Sequence, residues 1–284
     1  MAIRINAGIL FVVATPIGNL ADASPRALET LRAADLIACE DTRTTRTLLA
    51  RHGIEARTLA LHQHNERAAA GRLIDALSEG RNVALVSDAG TPGLSDPGAL
   101  LVERAHQAGI RVSPLPGPSA AAAAFSASGF AADRFLFAGF LPAAPGARRK
   151  ALEELDLPFP VVLYEAPHRI AETLNDLLQR FGNARQIVIA RELTKKFEEV
   201  VRLPLADAPA WLSAQPHRTQ GEFVLVLAPG EPRDPAAAHA DHVLDVLLES
   251  LAPSEAARLA ARITGAPKRE LYRRALNRTT PRAK

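Results

Sequence analysis

The sequence has 284 residues, of which 48% are hydrophobic and 23% charged, and these fractions are typical of globular proteins. No apolar run reaches the roughly 20 residues that a membrane-spanning helix needs, and the N-terminal segment has no signal-peptide pattern, so we expect a cytoplasmic protein without membrane association. The single cysteine, Cys39, excludes an internal disulfide and a cysteine-based metal site, and no His, Cys or carboxylate spacing predicts another metal site.

Short apolar runs alternate with helical patterns through the first half of the chain. This alternation predicts βαβ units and a mostly parallel sheet, and the continuous apolar character of the runs indicates that both sheet faces are covered. The first predicted helix begins at Pro25, with Ser24 as its N-cap. The predicted strands are 9–14, 36–39, 58–61, 83–86 and 112–115, and the predicted helices are 24–33, 66–78, 97–108 and 119–128.

The second half predicts a different sheet. The runs 187–190 and 199–203 are joined by a charged segment that is too short for a crossover helix, so we expect an antiparallel pair within a mixed sheet. The other predicted strands are 135–141, 161–164 and 223–227, and the predicted helices are 148–155, 169–181 and 206–214.

A Pro- and Gly-rich segment at 228–235 predicts a linker, and helical patterns follow it at 238–251, 255–263 and 268–276. Nine basic and two acidic residues lie between Ser254 and Lys284, whereas the whole chain has a net charge of only +3. Such a basic end predicts either a polyanionic partner or a solubilising helical cap. We therefore predict an N-terminal α/β domain (1–117), a second α/β domain (118–230) and a basic domain similar to a helix-turn-helix (236–284).

Three turns after predicted strands carry residue types suited to a ligand site. The turn 14–20 (ATPIGNL) lacks both the GxGxxG pattern of dinucleotide sites and the GxxxxGK pattern of phosphate loops. The loop 87–98 (SDAGTPGLSDPG) contains three glycines and two prolines, which bring backbone close to a ligand. We interpret Asp96 in this loop as the cap of the next helix, with Pro97 at its first position. The turn 116–121 (PGPSAA) offers small residues against which a flat ligand fits.

Together with the segments ACEDTR, LHQHNE, YEAPHR and ARELTK, these turns resemble the ribose methyltransferases of small-subunit ribosomal RNA within the tetrapyrrole methylase fold family. The resemblance runs in order from about Ile9 to Leu276. It implies two α/β domains of the tetrapyrrole methylase type, with a mostly parallel first sheet and a mixed second sheet, plus a small C-terminal helical domain. It also implies a homodimer that uses S-adenosyl-L-methionine (SAM), bound between the two α/β domains.

The implied reaction is methylation of the ribose 2′-hydroxyl of a cytidine in the decoding region of small-subunit ribosomal RNA, free or within the small ribosomal subunit. Most of the fold family instead methylates corrin-type rings and has a GxGxGD-like turn after the first strand. Residues 15–19 of this sequence replace that turn, which argues against a tetrapyrrole substrate.

The resemblance also implies which residues contact the cofactor. They come from the three turns and from two segments of the second domain, and they are Pro16, Asp88, Gly90, Thr91, Ser119, Ala120, Tyr164 and Ala190.

Methyl transfer to a ribose hydroxyl is an in-line displacement, which a base or a cation near the forming alkoxide assists. We predict that Arg43, His64 and Lys195 line the RNA end of the cofactor site. His64 is a candidate base near neutral pH, and Lys195 is one only if its surroundings lower its pKa. RNA phosphates are predicted to be held by five basic side chains, namely Arg191, Lys268, Arg269, Arg273 and Arg274.

Two other functions stay open on the sequence alone. One is a SAM-dependent methyltransferase of a small molecule or tetrapyrrole, against which the basic C-terminal segment argues. The other is a non-catalytic RNA-binding assembly factor on the same scaffold, against which the intact VSDAGTP loop argues. The base and the dimer interface are not determined by the sequence.

Overall fold

Two five-stranded sheets dominate the structure, a computed structural model that describes residues 7–62, 64–230 and 235–279. The chain divides into a unit that ends at Ala228 and contains both sheets, and a second unit that begins at Pro229. Within the described ranges, no helix is both long and apolar enough to cross a bilayer. The domain boundary predicted at 117/118 lies inside the first unit and stays a prediction.

The first sheet is parallel throughout, in the order β3-β2-β4-β1-β5, as the alternation of strands and helices predicted. Because its strands are parallel, the ends that carry the predicted ligand turns lie along one edge. Separate apolar clusters cover its two faces. The elements are β1 (Ile9–Val13), α1 (Pro25–Ala33), β2 (Leu36–Cys39), α2 (Thr42–Arg51), β3 (Thr58–Ala60), α3 (Glu66–Ser78), β4 (Val83–Val86), α4 (Ala99–Gln107) and β5 (Arg111–Leu115).

The second sheet is mixed, in the order β6-β7-β10-β8-β9. Strands β6 and β7 are parallel, and the other neighbours are antiparallel, which confirms the predicted pairing of β8 with β9. One face packs on three helices, and the other packs on the Ala-rich helix α5. The elements are α5 (Ala120–Ala127), β6 (Leu136–Phe140), α6 (Pro145–Glu153), β7 (Val161–Glu165), α7 (Ile170–Phe181), β8 (Gln186–Arg191), β9 (Glu199–Pro204), α8 (Ala208–Ser213) and β10 (Phe223–Leu227).

We call the first sheet with its helices α1–α4 the first lobe, and the second sheet with its helices α5–α8 the second lobe. Local capping explains where the helices of the first lobe begin. Helix α1 begins at Pro25, and the Ser24 hydroxyl accepts a hydrogen bond from the backbone N–H of Ala27, as predicted. Helix α4 begins only at Ala99, after Gly98, so the interpretation of Asp96 as its cap is wrong. The Gly98 N–H instead donates to the Glu66 carboxylate at 2.9 Å, and this partner is 32 residues away in sequence.

The second unit contains three helices among its described residues: α9 (Pro235–Leu248), α10 (Pro253–Thr264) and α11 (Lys268–Thr279). Helix α10 ends at Gly265, whose φ of 75° is a left-handed cap that glycine adopts at no steric cost. A small core made mainly of alanine lets the helices approach closely, with Leu244 and Leu271 as its largest buried members.

Candidate active site

Ends of strands from both sheets enclose a cavity of about 380 Å³ in the first unit. This volume falls within the range of about 300–1,000 Å³ that is common for small-molecule sites. Six of the eight predicted cofactor residues line the cavity, namely Gly90, Thr91, Ser119, Ala120, Tyr164 and Ala190. Their contact with a cofactor stays a prediction, but the structure brings these distant segments together.

The loop after β4 is held against the first turn by paired backbone bonds. Thr15 and Gly90 each donate an N–H to the other's carbonyl, at 2.9 and 3.0 Å, and the Thr15 hydroxyl donates to the Ser87 carbonyl. Gly90 has a φ of 83°, which a residue with a side chain rarely adopts. The Thr91 hydroxyl donates to the Pro118 carbonyl at 3.1 Å and so joins this loop to the third turn. The three turns therefore form one connected wall.

Pro16 and Asp88 lie beside this cavity rather than in it. Both line a neighbouring cavity of about 250 Å³, together with threonines of α2. The Asp88 carboxylate accepts a hydrogen bond from the backbone N–H of Asp41 at 3.0 Å, so it joins the loops that follow β2 and β4. This placement suits a positioning role better than direct contact with a ligand in the larger cavity.

Carboxylates gather at the same strand ends. Asp96 lines the main cavity, and burial together with the nearby charge of Asp88 raises its pKa. Burial, and after it the charges of Asp96, Asp88 and Asp41, likewise raise the pKa of Glu40. Asp96 is therefore a cavity residue that the sequence analysis missed, because its Asp-Pro pair also matched a helix start.

The second lobe contributes an apolar wall and a fixed turn. Ala190 is fully buried on β8, and burial raises the pKa of Tyr164 on β7. Glu165, although it lines the cavity, accepts from the Thr173 hydroxyl at 2.6 Å and from the Ala166 N–H at 2.8 Å. The YEAPHR segment thus uses its glutamate to fix the turn between β7 and α7.

Lys195 lies at the edge of the cavity. Its Nζ donates to Glu192 at 2.8 Å and to Glu222, a cavity-lining residue, at 2.9 Å. Burial disfavours the charged amine, but these two carboxylates outweigh it and raise the pKa of Lys195 above its ordinary value of 10.5. The condition for a lysine base, a lowered pKa, is therefore not met, and Lys195 acts as a cation.

A groove of about 860 Å³ begins on the other side of Lys195, between the first turn and the loop after β8. Its basic side chains are those of Arg51, His52, Lys195 and Lys196. A Cβ on Gly18 would lie 2.5 Å from Lys195 Cγ, so only glycine lets the two loops approach this closely. The sequence analysis missed the contribution of α2 to this groove, since it did not predict that helix.

Arg191 corrects one of the RNA-binding predictions. Its side chain is 5% exposed, and its guanidinium donates to the backbone carbonyls of Gln220 at 2.7 Å and Phe197 at 3.2 Å. It also lies 3.5 Å from the Glu199 carboxylate. Arg191 therefore holds the loop after β8 in place and does not present its charge to a phosphate.

Arg43 and His64 are exposed and do not line the main cavity. Arg43 lies in the first turn of α2, and its hydrogen bonds and ion pair with Asp41, at 2.6 Å, hold the pKa of Asp41 at about 2. The His64 ring lies 6.0 Å from that of His62, in an edge-to-face arrangement. The structure thus brings only Lys195, of the three predicted catalytic residues, into contact with a residue of the cavity.

The basic residues of α11 divide into two groups. Arg274 bonds to Asp241 of α9 at 2.9 Å and to Glu270, so its charge joins helices, and its predicted phosphate contact stays a prediction. Lys268, Arg269 and Arg273 are exposed. Among the residues that the structure describes, no group of three or more His, Cys, Asp or Glu side chains is placed to hold a metal ion.

Solved structures share the fold of the first unit. Diphthine synthase matches 78% of this chain and 90% of its own with a TM-score of 0.58 at 19% identity, and the methyltransferase CobJ gives 0.58 at 22% identity over 78% and 95%. Residues 10–209 match the family described as Tetrapyrrole (Corrin/Porphyrin) Methylases, and residues 234–279 match the RsmI C-terminal HTH domain. The predicted fold class is confirmed: the chain is a methyltransferase of the tetrapyrrole methylase fold, whose methyl donor is SAM.

Relatives of known name define the family more narrowly. Ribosomal RNA small subunit methyltransferase I of Xylella fastidiosa (strain Temecula1) is 52% identical over 93% of this chain and 98% of its own length. The proteins of the same name from Pseudomonas aeruginosa and Escherichia coli O157:H7 are 49% and 47% identical, over 96% and 95% of this chain and 98% and 95% of their own lengths. The chain belongs to the ribosomal RNA small subunit methyltransferase I family.

Proposed function

We propose that this enzyme transfers a methyl group from SAM to the ribose 2′-hydroxyl of a cytidine in the decoding region of small-subunit ribosomal RNA. The observation that carries the proposal is the contact between Glu222 of the cavity and Lys195 of the basic groove. At this contact the small-molecule cavity adjoins the basic groove. Such an arrangement suits an enzyme that brings a small cofactor and a polyanionic substrate together.

The residues of the cavity fit SAM. Ala120 and Ala190 leave room for a flat ring, while the carboxylates of Asp96 and Glu222 complement a ligand with cationic groups. Asp88 joins the loops that follow β2 and β4 through its bond to the Asp41 N–H, and Pro16 lines the neighbouring cavity. When bound, SAM supplies an electrophilic methyl group on a positively charged sulfur.

The chain's own residues then orient the acceptor and exclude water. Leu193 and Val224 are part of an apolar wall that disfavours water beside the bound methyl donor. The protonated Nζ of Lys195 stabilises negative charge that develops on the 2′-oxygen or lies on the adjacent phosphate. Arg43 and His64 remain proposed contacts on the RNA side, and His64 remains a proposed base. Lys268, Arg269 and Arg273 are the proposed phosphate contacts of α11.

We also propose that the enzyme works as a homodimer in the cytoplasm, where small ribosomal subunits are found. Exposed apolar side chains on the loop and strand after β8, Phe197 and Val200, supply surface for a second copy. Light scattering of the full chain tests the dimer, and a monomer at micromolar concentration would contradict it.

The function is tested by incubating the enzyme with labelled SAM and small subunits from cells that lack it, then mapping the label. We expect one methyl group on a cytidine ribose oxygen. Label on a base, or only in a small-molecule fraction, would support a different methyltransferase. Alanine variants of Arg43, His64 and Lys195 should keep SAM affinity and lose transfer, and full activity in all three would refute their assignment.

A further inference from the structure

Strand β6 contains an irregularity at the edge of the cavity. Its pairs with β7 are Leu136–Val161, Phe137–Val162, Gly139–Leu163 and Phe140–Tyr164, so Ala138 is an extra residue in the ladder. Side chains alternate between the faces of a strand, and one inserted residue therefore reverses the face of every residue that follows. The bulge turns Phe140 away from the core on which Leu136 packs and toward the cavity.

The bulge lies close to the loop after β4. Gly139 has a φ of 62°, and a Cβ at this position would lie 3.1 Å from the Ser95 hydroxyl oxygen. Ser95 itself has a φ of 68°, an uncommon conformation for a residue with a side chain, and such residues collect at functional sites. The strained Ser95 and the left-handed Gly139 thus lie close together, directly before Phe140.

Phe140 is more exposed than the other aromatic side chains that line the cavity. It is 54% exposed, whereas Phe223 is 2% exposed and Tyr164 is half-buried. The Tyr164 ring lies 5.6 Å from the Phe140 ring in an edge-to-face arrangement, and such a neighbour covers at most one face of Phe140. Leu94, 40% exposed, lines the same cavity.

We propose that the open face of Phe140 is the platform on which the base of the target nucleotide stacks while its ribose is methylated. This inference rests on the proposed function. The 2′-oxygen must come within about 3 Å of the transferred methyl group, so the ribose enters the mouth of the cavity and its base lies at the rim. A base that leaves its own stack regains stacking on an aromatic ring. Phe140 acts as a positioning residue for the acceptor.

Three substitutions test the platform. Phe140→Ala should lower kcat/KM for small subunits by about 10- to 100-fold, Phe140→Leu should lower it by nearly as much, and Phe140→Trp should restore it to within a few-fold of wild type. The Kd for SAM, measured by calorimetry, should stay within about two-fold, because the ring faces the acceptor. Phe135→Ala is the matched control, since Phe135 is also an exposed aromatic of this lobe but does not line the cavity.

An abasic acceptor isolates the contact. Small subunits reconstituted with an abasic ribonucleotide at the target position should be about 10- to 100-fold poorer for wild type, with little further loss for Phe140→Ala. Additive losses would overturn the proposal, as would equal activity of Phe140→Ala and wild type, weaker SAM binding, or an altered oligomeric state in Phe140→Ala. Wild type that transfers no methyl to normal subunits would refute the proposed function instead, so the two failures are distinguishable.

Discussion

Two segments carry comparable sets of basic residues, namely the end of β8 with the loop that follows it, and helix α11. The structure divides both sets in the same way. Arg191, the last residue of β8, is buried and bonded to backbone carbonyls, whereas Lys196 in the following loop is exposed. In α11, Arg274 bonds to carboxylates, whereas its neighbour Arg273 is exposed. Cations that lie close together in the sequence therefore hold the fold in one case and are exposed to solvent in the other. The difference arises from partners that are distant in sequence.

The largest effect is expected from Arg191→Ala. The substitution removes a buried guanidinium together with its partly buried hydrogen bonds to the Gln220 and Phe197 carbonyls, which should lower the free energy of unfolding by about 2–4 kcal/mol. Urea denaturation measures this loss. Lys196→Ala in the loop after β8 is the control, and it should change stability by less than about 0.5 kcal/mol. An equal loss of stability in Arg191→Ala and Lys196→Ala would contradict the distinction between a buried structural cation and an exposed one.

Substitutions of Lys195 test whether a cation that is paired with carboxylates also contributes to methyl transfer. Lys195→Met should lower kcat about 10- to 100-fold, because the charge near the forming alkoxide is lost, and Lys195→Arg should retain most of the activity. The raised pKa keeps Lys195 charged from about pH 6 to pH 9, so it should contribute no limb to the pH–rate profile there. The stability that its ion pairs provide should be lost only as pH rises through that raised pKa, above 10.5.

A rate that rises with pH in wild type but is flat in Lys195→Met would contradict this role. It would instead identify Lys195 as a base, with a pKa far below the one that its two carboxylate partners imply.

The smallest stability effect is expected in α11. Arg274→Ala should destabilise the second unit by about 1 kcal/mol, since its ion pairs are partly exposed. Hydrogen exchange of α9 and α11 in the full chain measures this change. Arg273→Ala should leave exchange unchanged and reduce the salt slope of RNA binding by about 0.7–0.9. If Arg274→Ala instead reduced the salt slope of RNA binding and Arg273→Ala increased hydrogen exchange, Arg273 would be the structural cation and Arg274 the RNA contact.

The sequence predicted most of the fold because local patterns determine it. The Ser24-Pro25 start of α1 and the apolar runs of β2, β4 and β10 needed no tertiary information. Helix α2 was missed because its four threonines have low helix propensity, although Thr45, Leu48 and Leu49 follow the helical spacing of buried positions.

Much of the candidate site depended on contacts between distant residues. Helix α4 begins after Gly98, whose N–H is accepted by Glu66 of another helix, and Asp96 lines the cavity instead of capping α4. The bulge that orients Phe140 is defined by the pairing of β6 with β7, and no local pattern predicts it. The glycine-rich turns could be predicted from the sequence because the left-handed backbone conformations of Gly90, Gly93 and Gly98 favour glycine.

Calorimetric titration of SAM into the full chain and into Ala120→Leu tests the central claim most directly. Ala120 lines the cavity, whereas Ala122, two residues further along α5, is exposed and does not line it. We predict one site per chain in wild type, binding weakened at least about tenfold in Ala120→Leu, and unchanged binding in Ala122→Leu. Unchanged affinity in Ala120→Leu, with the fold intact, would place the cofactor elsewhere and contradict the account.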